Sequence, residues 1–175
     1  IIGGEIKIKE RWKEVYEKLL NPETPNTKEG KMEEIQINYG NVENPSPKEV
    51  TEVIQQLKNH IATGIDSIPN ELIKYAGIER EIYKLIQEIW TKEYLPKEWN
   101  TSLIVPIYKK GNKLDCKNYR GISLLPTCYK ILTRIIQKRL EPYMEEILGE
   151  YQGGFRSGRS TTNQIFTVKI LMEKM

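Results

Sequence analysis

The sequence predicts an α+β fold, mostly helical and built around one antiparallel hairpin. Three observations carry this expectation. Apolar residues recur at helical spacing along most of the chain. Between Ser102 and Leu125 that spacing gives way to two short β-prone runs separated by a polar turn. Caps, prolines and glycines stand where those segments should begin and end.

Taken in order, Ile8, Trp12, Val15, Tyr16, Leu19 and Leu20 predict a first helix over residues 6–20. The polar, Pro-containing stretch from Asn21 to Gly30 reads as a linker, and Gly40 to Ser46 as a second loop. Ser46, Pro47 and Glu49 then form a helix start: a capping hydroxyl, a proline suited to the first turn and a carboxylate placed to reach back. Val50, Val53, Ile54 and Leu57 give that helix its apolar stripe. A loop from Ala62 to Ser67 follows. Pro69 opens a short helix that Gly77 ends, and Ile82, Leu85, Ile86, Ile89 and Trp90 mark another over residues 78–90.

Ser102 to Tyr108 reads as a strand, and Pro106 makes it an edge strand or a bulged one because proline cannot donate to a ladder. Lys109 to Asn118 is the turn, and Tyr119 to Leu125 the returning strand. A long helix from Thr127 to Leu140 should bury Ile131, Leu132, Ile135, Ile136 and Leu140, with Pro142 marking a break. Gln152 to Ser160, rich in Gly and Arg, fits no regular structure. Thr161 with Gln164 predicts the capping box of a last helix.

Charge is uneven. Residues 1–96 hold 13 Lys and Arg against 17 Asp and Glu, a net of −4, whereas residues 97–175 hold 14 against 7, a net of +7. From Lys109 to Arg139 nine basic residues face the single Asp115, with Tyr108, Tyr119 and Tyr129 interleaved. A basic cluster of this kind suits a polyphosphate partner. Lys109, Lys110 and Arg120 lie around the hairpin turn, where a planar guanidinium and mobile ammonium groups could close on a triphosphate. Lys130, Arg134 and Lys138 recur every four residues and form a basic ridge. In the Gly-rich stretch, Gln152, Gly154, Phe155, Arg156 and Arg159 make a second candidate contact, because glycine lets backbone approach a ligand and arginine reaches phosphate.

Several chemistries are excluded by what is missing. Cys116, Cys128 and the lone His60 supply neither a disulfide framework nor a four-ligand zinc site, and two free thiols indicate a reducing, intracellular compartment, cytoplasm or nucleus. The Gly-rich stretch lacks the Gly-Lys-Ser/Thr of a nucleotide-hydrolase loop. No Ser-His-acid constellation forms around His60. The only aspartates, Asp66 and Asp115, lie in separate loops, whereas two-metal nucleotidyl transfer needs carboxylates converging on ions about 3.5–4 Å apart. No catalytic residue and no metal ligand is therefore assigned. No apolar run is long enough for a membrane span, no signal peptide opens the chain, and the initial Ile reads as a piece of a longer protein.

Trp99 to Lys130, including Leu-Ile-Val-Pro-Ile-Tyr-Lys-Lys-Gly and Asn-Tyr-Arg-Gly-Ile-Ser-Leu-Leu-Pro, resembles the fingers signature of non-LTR retrotransposon reverse transcriptases. Ile131 to Leu140 resembles the helix that follows, Gln152 to Ile165 the next block, and Ala62 to Glu71 the segment upstream of the fingers. The resemblance runs in order over residues 48–175, with 1–47 similar to the variable stretch upstream of the polymerase. It implies an N-terminal extension and fingers portion of a right-hand polymerase domain without its palm, whose catalytic aspartates would lie beyond Met175. It also implies that Lys109 or Lys110 and Arg120 hold the triphosphate of a dNTP. The ridge and the Gly-rich block would lie near the RNA template. A DNA primer, the palm and thumb of the same polypeptide, and Mg2+ in the full-length parent complete the expected partners. Ile65 and Gly121 stand where many relatives have Pro. Two other readings share the residues: a non-catalytic RNA-binding module, and the inert product of a degenerate copy.

Overall fold

The computed structural model describes residues 4–22 and 42–174. The expected linker from residue 23 onward, the start of the second loop (residues 40–41) and residues 1–3 lie outside the described residues. The chain forms two compact units that divide after Ile131.

In the first unit, α1 (Glu5–Leu20) is followed by α2 (Pro47–Gln55), α3 (Asn70–Tyr75) and α4 (Glu79–Lys92). The start of α2 is the predicted one. Ser46 Oγ accepts from Glu49 N at 3.2 Å, and the Glu49 carboxylate accepts from Ser46 N at 2.7 Å. Two orphan N–H groups are thereby satisfied. Pro69 caps α3, and Gly77 follows it at φ 69°. At the far end of α4 the left-handed cap is Glu93, φ 51°, where glycine is usual. Val50, Val53 and Ile54 of α2, Ile73 of α3, and Ile82, Ile86 and Ile89 of α4 are buried, and α2 packs on both α3 and α4.

β1 (Leu103–Tyr108) and β2 (Tyr119–Leu124) pair antiparallel, with Pro106 opposite Gly121 and Ile107 opposite Arg120. Pleat alternation divides their side chains. Ile104, Pro106 and Tyr108 share one face with Tyr119 and Gly121. Leu103, Val105 and Ile107 share the other with Arg120 and Ile122. The first face receives α1. Trp12 meets Tyr119 edge-on at 5.0 Å and stacks on Tyr16 at 5.8 Å, and Tyr119 meets Tyr108 at 5.5 Å. A side chain at Gly121 would stand 2.7 Å from the Tyr16 ring and 3.1 Å from Ile104. Glycine there makes the seat for Tyr16. The seat is imperfect, because the buried Tyr16 hydroxyl has no hydrogen-bond partner among the described residues.

A polar junction holds the connector between α2 and α3 to the residues that follow β2. Thr127 Oγ1 lies 3.0 Å from both Ile68 O and Asn70 Oδ1, while Asn70 Nδ2 donates to Lys58 O at 2.8 Å. Both side chains are buried. Gly64 lets the connector approach the backbone of Leu125 and Pro126, since a Cβ there would stand 2.6 Å from both.

α5 (Thr127–Ile147) begins at this junction and crosses into the second unit. It runs through Pro142, against the predicted break. Proline removes one N–H and crowds one carbonyl, which breaks a helix only when the flanking turns cannot hold themselves. The predicted buried face is correct for Ile131, Leu132 and Ile135, but Ile136 and Leu140 are exposed. After a loop, α6 (Thr161–Lys174) closes the described chain. Its cap stands one residue earlier than predicted: Ser160 Oγ accepts from Thr162 N at 3.1 Å. Gln164 instead donates to Tyr151 O, across the loop that precedes the helix.

Two stability outcomes follow. Thr127→Val should cost about 1–3 kcal/mol in urea unfolding, because it leaves Asn70 Oδ1 buried without a donor. Gly121→Val should speed amide exchange throughout α1 by displacing Tyr16, whereas Tyr16→Phe, which keeps the ring and removes an unpartnered hydroxyl, should not.

Candidate nucleic-acid interface

The hairpin turn is built to be rigid and to leave its cations in solvent. Lys109 N donates to Asn118 O at 2.8 Å, which extends the ladder one step past Tyr108. Asp115 Oδ1 accepts from Lys117 N, Asn118 Nδ2 donates to Asn112 O, and the hydroxyls of Tyr108 and Tyr119 donate to Gly111 O and Lys113 O. Gly111, at φ 90°, meets the Asn118 amide so closely that a Cβ would clash. The turn's own polar groups thus satisfy one another.

Lys109, Lys110 and Arg120 are exposed and make no ion pair among the described residues. Lys113 instead lies over the Tyr108 ring at 5.5 Å. Since Lys109 continues the alternation of β1, it projects on the same side as Ile107 and Arg120, and Lys110 does not. On that side the guanidinium borders an exposed apolar strip of Leu103, Val105, Ile107 and Ile122.

The ridge on α5 is more engaged. Arg134 is exposed and donates to Gln137 Oε1 at 2.7 Å, while Lys130 and Lys138 are half-buried and have partners of their own.

The Gly-rich loop of the second unit is organised differently from the hairpin. Arg156 turns inward. Its guanidinium forks onto Glu145, Nε to Oε1 at 3.2 Å and Nη2 to Oε2 at 2.6 Å, and Nη1 donates to Gly149 O at 2.9 Å and Leu148 O at 3.4 Å. Its side chain is 5% exposed. Arg159 meets Glu150 at 2.8 Å with both groups more open. Each arginine's hydrogen bonds hold its carboxylate partner below the usual range, Glu145 through Arg156 and Glu150 through Arg159. Phe155 is fully exposed with φ 61°, in the left-handed region that phenylalanine rarely adopts. Gln152 Nε2 donates to Gly154 O at 3.2 Å. Glu145 and Glu150 escape sequence reasoning, because their arginines lie eleven and nine residues away across a loop, where no periodicity operates.

Asp66 Oδ1 accepts from Ile68 N and Asp115 Oδ1 from Lys117 N, both as turn-forming acceptors. Among the described residues no group of three His, Cys, Asp or Glu side chains is placed to hold a metal ion, and no helix is long and apolar enough to cross a membrane. Both cysteines are free thiols. Burial raises the pKa of Cys128.

Residues 107–174 match the family described as reverse transcriptase (RNA-dependent DNA polymerase). The chain is 35% identical over 127 residues to the probable RNA-directed DNA polymerase from transposon X-element of Drosophila melanogaster, covering 70% of this chain and 14% of that protein. It is 33% identical over 123 residues to the probable RNA-directed DNA polymerase from transposon BS of the same species, covering 67% and 14%. It is 32% identical over 126 residues to the RNA-directed DNA polymerase from mobile element jockey of Drosophila funebris, covering 69% and 14%. The chain therefore spans about 14% of the length of these curated relatives. On these matches the chain belongs to the reverse transcriptases of non-LTR, LINE-type retrotransposons.

Proposed function

We propose that this chain supplies the fingers-side grip of an RNA-directed DNA polymerase. The observation that carries it is the set of unpaired cations on the hairpin, with Lys109 and Arg120 on one side of the pleat. A triphosphate needs positive charge that is not already neutralised, and a rigid turn presents it at little ordering cost. Lys109 and Arg120 take the triphosphate of the incoming dNTP, and Lys110 stands beside them. Lys130, Arg134 and Lys138 with Gln152, Gly154, Phe155 and Arg159 run along the RNA template and its paired DNA primer. Residues 1–47 form the upstream region, and 48–175 the N-terminal extension and fingers. The palm and thumb of the same polypeptide cover the exposed Ile165, Phe166, Leu171 and Met172 of α6.

Polymerases of this kind would use Mg2+, and among the described residues no three His, Cys, Asp or Glu side chains come together to hold it. What the chain's own residues contribute is electrostatic: they draw in and orient the triphosphate and lower the cost of its charge.

In a polymerase carrying this segment, Arg120→Ala should raise the nucleotide KM about tenfold, equivalent to roughly 1.4 kcal/mol. Lys109→Ala should raise it more than Lys110→Ala. Unchanged KM in both Arg120→Ala and Lys109→Ala would remove the triphosphate role. For the chain itself, affinity for a single-stranded RNA oligonucleotide should fall steeply with KCl, and Arg134→Ala should flatten the log–log slope by about 0.7, one phosphate contact.

A further inference from the structure

Arginines in a Gly-rich loop next to a nucleic acid invite assignment as phosphate contacts. The geometry of Arg156 argues otherwise. Its guanidinium already has a bidentate carboxylate partner and two carbonyl acceptors, and its side chain is 5% exposed. All of Nε, Nη1 and Nη2 donate inside the second unit. The two carbonyls, Leu148 O and Gly149 O, follow directly on α5, whose last turn carries orphan acceptors and the negative end of the helix dipole. A cation placed there is held by the helix as well as by Glu145.

What this anchoring fixes is the neighbouring residue. Phe155 is fully exposed at φ 61°, a conformation that costs a non-glycine residue energy and persists only where the surroundings impose it. Arg156 is covalently next to it and pinned at several points. Gly153 on the other side is buried, and a Cβ there would stand 3.0 Å from the Gln164 side chain. The loop is thus tied down on both flanks of Phe155, by Arg156 to the end of α5 and by Gly153 to the start of α6.

We infer that Arg156 is a positioning residue, an internal clamp closed by Glu145, and that it holds the Gly154–Phe155 tip out toward the nucleic acid instead of touching phosphate itself. This rests on the reading of the loop as a nucleic-acid contact. Arg159, more open and paired among the described residues with Glu150 alone, remains the residue of the loop that exchanges its partner for phosphate.

The test uses the full 175-residue chain and two readouts. One is amide exchange of residues 152–160 without RNA. The other is binding of a single-stranded RNA oligonucleotide by anisotropy across a KCl series. Arg156→Ala, Arg156→Lys and Glu145→Gln should each speed exchange in the loop and weaken RNA binding together, without changing the salt slope. Lysine keeps the charge but has no planar fork, so it should fail like alanine. Arg159→Ala should leave exchange unchanged and flatten the slope by about 0.7. Rescue by Arg156→Lys, a flattened slope in Arg156→Ala, or tighter RNA binding by Glu145→Gln would overturn the clamp, because each means that Arg156 itself meets phosphate. Should the unaltered chain bind no RNA, the nucleic-acid reading of the loop fails. The exchange comparison then decides the clamp alone: faster exchange in all three variants retains it as a loop anchor, and unchanged exchange removes it.

Discussion

The hydroxyl of Thr127 is the constraint on which the first unit depends. One buried oxygen lies within hydrogen-bond reach of Ile68 O and Asn70 Oδ1, and Asn70 in turn donates to Lys58 O. The Thr127 and Asn70 side chains are buried, so leaving either unmet costs more than the bond itself returns. The one hydroxyl proton, within reach of both acceptors, ties the connector ahead of α3 to the first turn of α5. Gly64 enforces the same approach sterically, because its backbone lies where no Cβ could fit beside Leu125 and Pro126. The hairpin leads directly into that junction through Leu125 and Pro126. Where β2 ends, and therefore where Arg120 stands four residues before its last residue, is decided by a threonine outside the sheet.

The two cationic regions obey opposite electrostatic rules. At the hairpin, backbone and amide groups of the turn satisfy one another, and Lys109, Lys110 and Arg120 are left with their charge unspent. In the loop of the second unit, arginines are neutralised locally by Glu145 and Glu150. An incoming polyanion meets little competition at the first and an established carboxylate at the second. Arg156, 5% exposed and bound to two carbonyls besides Glu145, loses several partners at once if it turns outward, whereas Arg159, paired with Glu150 at the surface, gives up less. Counting basic residues treats all these side chains alike; their partners separate them.

Local rules made much of the fold legible. The Ser46 box, the strand confined by Pro106, the glycine after α3 and the helical stripes through Val50 and Ile86 all depend on residues within four positions of one another, and the structure has them. Expectations failed where a distant group intervened or where a penalty was outweighed. Gln164 forgoes a capping box because Tyr151 O offers an acceptor, and Ser160 caps α6 in place of Thr161. Pro142 does not end α5, since losing one donor is less than the helix on both sides provides. The site divides in the same way. Unpaired hairpin cations follow from a basic turn whose only acid, Asp115, is taken up by the backbone. The inward turn of Arg156 depends on a helix end and a carboxylate that loop composition does not encode.

The contact of α1 with the hairpin adds a last step. Trp12, Tyr16, Tyr108 and Tyr119 form one continuous aromatic cluster on the face of the sheet opposite Arg120. A two-stranded ribbon is marginal by itself in water and needs a packed face to hold its twist and register. α1 supplies that face, and it can do so only because Gly121 leaves room for Tyr16. In this chain, therefore, the upstream helix stiffens the strand that carries Arg120, and the side of the hairpin bearing the free cations is left open for a ligand.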